Sequence, residues 1–140
     1  MPTKNPLRKL MEKARALAPH LRAGKEGERL AAHYLETHGY RILATNVHLG
    51  KLGEIDIVAE EAGDLVIVEV KARRARGEYS AFLNITPAKR RKLVMLAKAY
   101  GARRGVEGRS IRFDVVGVEG VGEENPSVTL IPCAFREERR

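Results

Sequence analysis

The sequence predicts an α/β domain: a mixed sheet flanked by helices, in the order helix, three strands, helix, strand, with an extra amphipathic helix at the N-terminus. Three observations lead there. Two runs rich in Val and Ile, Ile55-Asp56-Ile57-Val58 and Leu65 to Val70, flank a Gly63 turn and read as a hairpin. Two helical stripes with their own start and stop signals bracket the strands. The chain then returns through the second of these helices to Ile111–Val118. Such a helical crossover joins parallel neighbours and is right-handed.

Residues 4–18 form a basic amphipathic helix, with Leu7, Leu10, Met11, Ala14 and Leu17 on one stripe, and Pro19 and Gly24 separate it from the next element. A helix over 24–38 stops at Gly39 and buries Gly27, Ala31, Tyr34 and Leu35. Glu28 falls beside that stripe, either as a first-turn acid favoured by the helix dipole or as a site residue. Residues 40–46 read as a strand, and Gly50–Gly53 turns the chain into the Asp56 strand. After a polar, basic stretch over 72–86, Thr86-Pro87 opens the next helix as N-cap and first residue. Its stripe is Leu93, Leu96, Ala97 and Tyr100; Lys89, Arg90, Arg91, Lys92 and Lys98 fill the other side. A last strand covers 127–134, and a charged tail ends the chain. The expected division is an N-terminal helix over 1–23, one domain over 24–134 and a tail over 135–140.

Composition narrows the class. A chain of 140 residues with 44% hydrophobic and 31% charged residues can build one core without staples. No apolar run is long enough for a membrane span, and no signal-peptide core is present, so no membrane partner is expected. Cys133 stands alone, which excludes an internal disulfide or a cysteine-cluster zinc site. These features fit a cytoplasmic protein. A net charge of +8 favours a polyanion, nucleic acid first. With 5% aromatic residues and no Trp, base stacking on a single strand is a poor fit. His20, His33, His38 and His48 lack metal-ligand spacing, and no glycine-rich phosphate loop is present.

The chemistry lies in the charges inside the strands. Alternation puts Leu65, Ile67, Glu69 and Lys71 on one face and Val66, Val68 and Val70 on the other. Glu69 and Lys71 project together, about 7 Å apart along the strand. If the Asp56 strand pairs alongside, two acids and an amine converge at one end of the sheet. That donor set suits a hard divalent cation. The plainer reading is a Glu-x-Lys ion pair on an exposed sheet face.

The αβββαβ order, with Asp56 on the second strand and Glu69-Val70-Lys71 on the third, resembles the restriction-endonuclease-like nucleases of the PD-(D/E)xK superfamily. Within it, the chain is similar to the YraN family of small bacterial proteins over about residues 24–118. The matching segments are Gly27-Glu28 through Tyr34-Leu35, Gly39-Tyr40, Asn46 and Gly53-Glu54-Ile55-Asp56. They continue with Val68-Glu69-Val70-Lys71, Lys89 and its helix, and Arg112-Phe113-Asp114-Val115-Val116. Ile55 stands at the motif's proline, and Leu96 replaces the Gln of a Gln-x-x-x-Tyr signature.

The resemblance implies that Asp56 and Glu69 bind Mg²⁺ or Mn²⁺, helped by the Val70 carbonyl. It makes Lys71 the catalytic amine, and Glu28 the helical acid seen near such sites, Holliday-junction resolvases included. The implied activity is endonucleolytic hydrolysis of phosphodiesters in nucleic acid, DNA ahead of RNA, with branched DNA among the substrates. Arg73, Arg74, Lys89, Arg90, Arg91 and Lys92 are the expected phosphate contacts. The alternative is a nuclease-like fold that binds nucleic acid, or joins an assembly, without cutting. The N-terminal stripe also suits a homodimer contact. Deleting residues 1–20 is therefore expected to leave the core folded while weakening self-association or substrate grip. Thermal melting and mass in solution check this; loss of folding would place the helix in the core.

Overall fold

The computed structural model describes residues 19–77, 82–106 and 108–137, so the helix expected over 4–18 lies outside the described residues. Helix α1 spans Pro19–Thr37. Strands β1 (Arg41–His48), β2 (Glu54–Glu61) and β3 (Asp64–Arg73) come next. Helix α2 (Pro87–Arg104) leads to β4 (Ile111–Glu119) and β5 (Ser127–Phe135). The strands form one sheet in the order β1-β2-β3-β4-β5. The β3–β4 pair is parallel, as the crossover requires; β1–β2, β2–β3 and β4–β5 are antiparallel.

Each helix covers one face, so the central strands are buried on both sides. Ala31 and Leu35 of α1 pack with Ile57, Val66, Val68, Val116 and Val118. Leu93, Leu96, Ala97 and Tyr100 of α2 pack with Val58, Ile67, Phe113 and Val115. This explains why β3 reads as an unbroken apolar run until Glu69. The turns obey local chemistry. Ala62 and Gly63 have φ of 51° and 83°, the pair of positive values that a two-residue hairpin needs. Thr86 caps α2 by accepting from the Lys89 amide at 3.2 Å, and Gly105 ends it in the left-handed region.

Three boundaries differ from expectation. Helix α1 already includes Pro19 and runs through Gly24 without a break. One interior glycine costs a helix only about 1 kcal/mol, which packing on the sheet overcomes. Glu28 therefore lies more than two turns inside α1, beyond the reach of the N-terminal dipole, and the first-turn explanation for it fails. Strand β1 continues to His48. Phe135 belongs to β5 rather than to the tail, and stacks on Phe113 with ring centroids 4.6 Å apart.

A glycine sets the seat of α1. A Cβ on Gly27 would lie 2.2 Å from the Ala72 Cβ, so only glycine lets the helix approach β3 this closely. A polar network anchors the other end of the helix. Asp114, 1% exposed, accepts at Oδ2 from the Tyr40 hydroxyl at 2.7 Å and from Arg112 Nη2 at 3.1 Å. Its Oδ1 accepts from Arg112 Nε at 2.9 Å and from the Cys133 amide at 2.9 Å, where β5 bulges. Arg112 reaches on to Glu61 at 2.7 Å.

Every member of this buried network has its partner, and removing one leaves the others unpaired. Asp114→Ala should cost about 3–5 kcal/mol, the range for breaking a buried ion pair, with Asp114→Asn costing less. Urea denaturation of the two variants measures the difference.

Candidate functional site

The ladder between β2 and β3 ends at the Ile57–Val68 pair. One residue further, the Asp56 side chain takes over: its Oδ2 accepts from the Val70 amide at 2.8 Å. This fastens the Asp56 carboxylate beside the strand that carries Glu69 and Lys71. Alternation in β3 proceeds as predicted. Ile67 joins the α2-side core and Val68 the α1-side core, so Glu69 and Lys71 project toward α2.

Glu69 and Lys71 do not pair with each other. Lys71 Nζ donates to the carbonyl oxygen of Asn84 at 2.8 Å. The cation on Glu69 is Lys89, from the first turn of α2, with Nζ 3.5 Å from Oε1. The simple Glu-x-Lys ion pair is thus not what the strand builds.

Electrostatics mark the same cluster. Burial and then the charge of Asp56 raise the Glu69 carboxyl to about 7, against the pull of Lys89 and Lys71. Asp56 is also raised, mainly by burial, while the Val70 amide and Lys89 pull the other way. With the lower intrinsic pKa and an amide donor, Asp56 ionises first, and the repulsion falls on Glu69. Glu28 is raised by burial and then by Asp56, and lowered by a hydrogen bond from Asn46. So Asp56, Glu69, Lys71 and Lys89 form one cluster, and Glu28 is coupled to it through the charge of Asp56, with Asn46 beside Glu28 as a residue to which the sequence alone assigned no role.

Asn46 lies in the β1 stretch that pairs with β2 from Thr45–Ile57 to Val47–Ile55, which sets it opposite Asp56. The hairpin register would have revealed it, had the length of the Leu49–Gly53 connection been legible. Beside Glu28 a cleft of about 850 Å³ opens between α1 and β1, its walls including Lys25, Arg29, His33, Asn46 and His48.

The expected phosphate contacts are divided. Four consecutive helical residues span a full turn and cannot share a face. Lys89 turns toward Glu69 of β3 and Lys92 toward the start of β2, where its side chain lies against Gly53, 3.0 Å from where a Cβ would stand. Arg90 turns toward β5, donating to the Ile85 carbonyl at 3.1 Å with its guanidinium 5.4 Å from the Phe135 ring centroid. Arg90, Arg91 and Arg136 line a second cleft of about 410 Å³ there. Arg73 is engaged internally, 2.6 Å from the buried Glu119 and 4.0 Å over the Phe82 ring. Arg74 is exposed.

Among the described residues no three His, Cys, Asp or Glu side chains form a ready-made metal cluster. The donor set that the motif resemblance implies is smaller and harder: the Asp56 and Glu69 carboxylates and the Val70 carbonyl. It fits Mg²⁺ or Mn²⁺, which bind through one or two carboxylates and keep several waters. It does not fit zinc, which takes more protein ligands, among them nitrogen and sulfur.

Comparison with known proteins agrees with the extent of the matched motifs. The profile of the uncharacterised protein family UPF0102 matches residues 27–118. A UPF0102 protein of Symbiobacterium thermophilum is 46% identical over 114 residues, covering 81% of this chain and 96% of that protein. One from Nitrosococcus oceani is 41% identical over 123 residues, covering 86% and 97%. One from Roseiflexus castenholzii is 42% identical over 118 residues, covering 83% and 94%.

The raised carboxyls make a stability prediction. Between the ordinary pKa near 4.5 and about 7, the folded protein holds a proton on Glu69 that the unfolded chain has released. Stability must therefore fall as pH rises through that window, then level off. Glu28 and Asp56 act in the same direction. Glu69→Gln removes the Glu69 contribution. Its melting temperature should match wild type near pH 4.5 and exceed it above pH 7, by up to about 3 kcal/mol of stability. Parallel melts across pH 4.5–8 give the difference curve; a flat difference contradicts the burial argument.

Proposed function

This chain belongs to the uncharacterised protein family UPF0102, and we propose that it is a metal-dependent nuclease acting on DNA. The observation that carries the reading is the juxtaposition of Asp56 and Glu69, two half-buried carboxylates at one end of the sheet, with Lys71 alongside. Maintaining two such acids costs stability, and groups held against that cost are candidates for function.

In this reading Asp56, Glu69 and the Val70 carbonyl hold Mg²⁺ or Mn²⁺. When bound, that ion supplies charge neutralisation for the phosphodiester and a more acidic water. The protein groups do the rest. The Val70 amide fixes the Asp56 carboxylate by donating to its Oδ2, and Oδ1 would be the oxygen available to an ion. Lys71, on the neighbouring face position, orients the attacking water and stabilises the charge that grows on the phosphate. Its tie to the Asn84 carbonyl sets the amine's direction without neutralising it. Glu28, on the α1 side of the acids, adds negative charge beside Asp56, which strengthens the pull of the pair on a cation. Lys92 and Arg91 hold flanking phosphates, which gives grip with little sequence preference. Branched DNA is included among the substrates on the motif resemblance.

A cleavage screen with Mg²⁺ and Mn²⁺ over branched, flapped, single- and double-stranded substrates tests the activity. Asp56→Asn should abolish cutting, by at least about a hundredfold, and leave DNA affinity equal or slightly higher. Lys71→Ala should stop cutting but preserve Mn²⁺ binding. Charge reversal at Arg91 and Lys92 should weaken DNA binding for all sequences alike and flatten its salt dependence, by about 0.9 in the log–log slope for each phosphate no longer neutralised. If wild type binds no Mn²⁺ even with DNA present and cuts nothing, the non-catalytic binding module replaces this reading.

A further inference from the structure

Lys89 is in an unusual position for a residue expected to grip phosphate. Its amine faces inward, 3.5 Å from Glu69, and its charge is felt by both Glu69 and Asp56. Thr86 caps the helix on the Lys89 amide itself, so the residue's backbone is fixed while its side chain is 40% exposed and has room to swing. Lys71 contributes less, since its charge is felt by Glu69 only after that of Lys89 and its amine hydrogen-bonds the Asn84 carbonyl. Lys92, one turn further along α2, leans on Gly53 at the entry to β2, which leaves Lys89 as the inward-facing cation of that helix edge among the described residues.

We propose that Lys89 is the resident counter-ion of the acidic pair, displaced when a divalent cation arrives and then presented to the nucleic-acid backbone. An ammonium held 3.5 Å from the Glu69 carboxylate and a divalent ion seated on that carboxylate repel each other, and the amine that yields is that of Lys89, since Lys71 is tied to the Asn84 carbonyl. The released amine moves outward with its charge unneutralised, next to Lys92 on the same helix edge. There it adds one phosphate contact. Cation binding and DNA binding become mutually favourable through one side chain, and by linkage the effect is the same in both directions. This proposal rests on the reading that Asp56 and Glu69 bind a divalent ion, and makes Lys89 a competitor of that ion for the acidic pair.

The test is a Mn²⁺ titration at pH 8, read from the spin resonance of the free ion, on wild type, Lys89→Met and Lys89→Arg, with Asp56→Asn as the background. Lys89→Met keeps the length of the side chain and removes its charge. It should tighten Mn²⁺ about tenfold, while Lys89→Arg stays close to wild type. In a second arm, duplex DNA affinity is measured with and without Ca²⁺. The gain produced by Ca²⁺ should be present in wild type and at least halved in Lys89→Met. Lys89→Gln serves if the Met variant melts abnormally. Equal or weaker Mn²⁺ binding in a folded, charge-free variant overturns the counter-ion role while leaving the metal site intact. No Mn²⁺ binding in any variant overturns both.

Discussion

One hydrogen bond organises the candidate site: the Asp56 carboxylate takes the Val70 amide that the next rung of the ladder would have used. A main-chain amide on a strand flanked by neighbours must find an acceptor, and a carboxylate is a better one than a carbonyl. The substitution satisfies the strand and puts a charge inside the sheet without leaving an orphan donor. It also fixes the distance between two strands at the point where they stop pairing. From there the positions of Glu69 and Lys71 are set by strand alternation, and that of Lys89 by the capped start of α2.

The fold was legible because its signals are local. Gly63, Gly39 and Thr86-Pro87 each encode a turn or cap, and the runs between them alternate or repeat as a strand or helix must. The parallel pairing of β3 and β4 came from chain connectivity. The site was only partly legible. Asp56 and Glu69-x-Lys71 stand out as charges within apolar runs. What they touch does not, because their partners come from elements distant in sequence. Lys89 looked like one of several helix cations; its inward direction depends on how α2 is rotated against the sheet. Arg73 looked like a loop cation; its pairing with Glu119 depends on the β3–β4 register. Of the two readings open for Glu28, the first-turn acid rests on a helix start near Gly24, whereas α1 already includes Pro19.

The charge surplus has a structure of its own. Arg73, Arg76, Arg109 and Arg112 are bound to Glu119, Glu123, Glu60 and Asp114. Such pairing leaves the net charge of +8 intact at long range, where it can draw in a polyanion. It does withdraw those guanidinium groups from direct contact with phosphate. In the proposed nuclease reading, attraction and grip are thus assigned to different residues, with grip falling to the exposed basic groups of α2 and its surroundings.

The outer strands carry a further consequence. Strand β1 is interrupted by a register shift at Leu43 and by Asn46 at φ 50°, and β5 by a bulge with Pro132 and with Cys133 at φ 53°. Neither outer strand offers the flat, continuous row of amides and carbonyls on which another chain could add a strand. A sheet whose interior is mostly Val and Ile would otherwise be an efficient template for its own aggregation. The irregularities that shape the Asp114 anchor and the Asn46 corner thus also act as fences along the two open edges of the sheet.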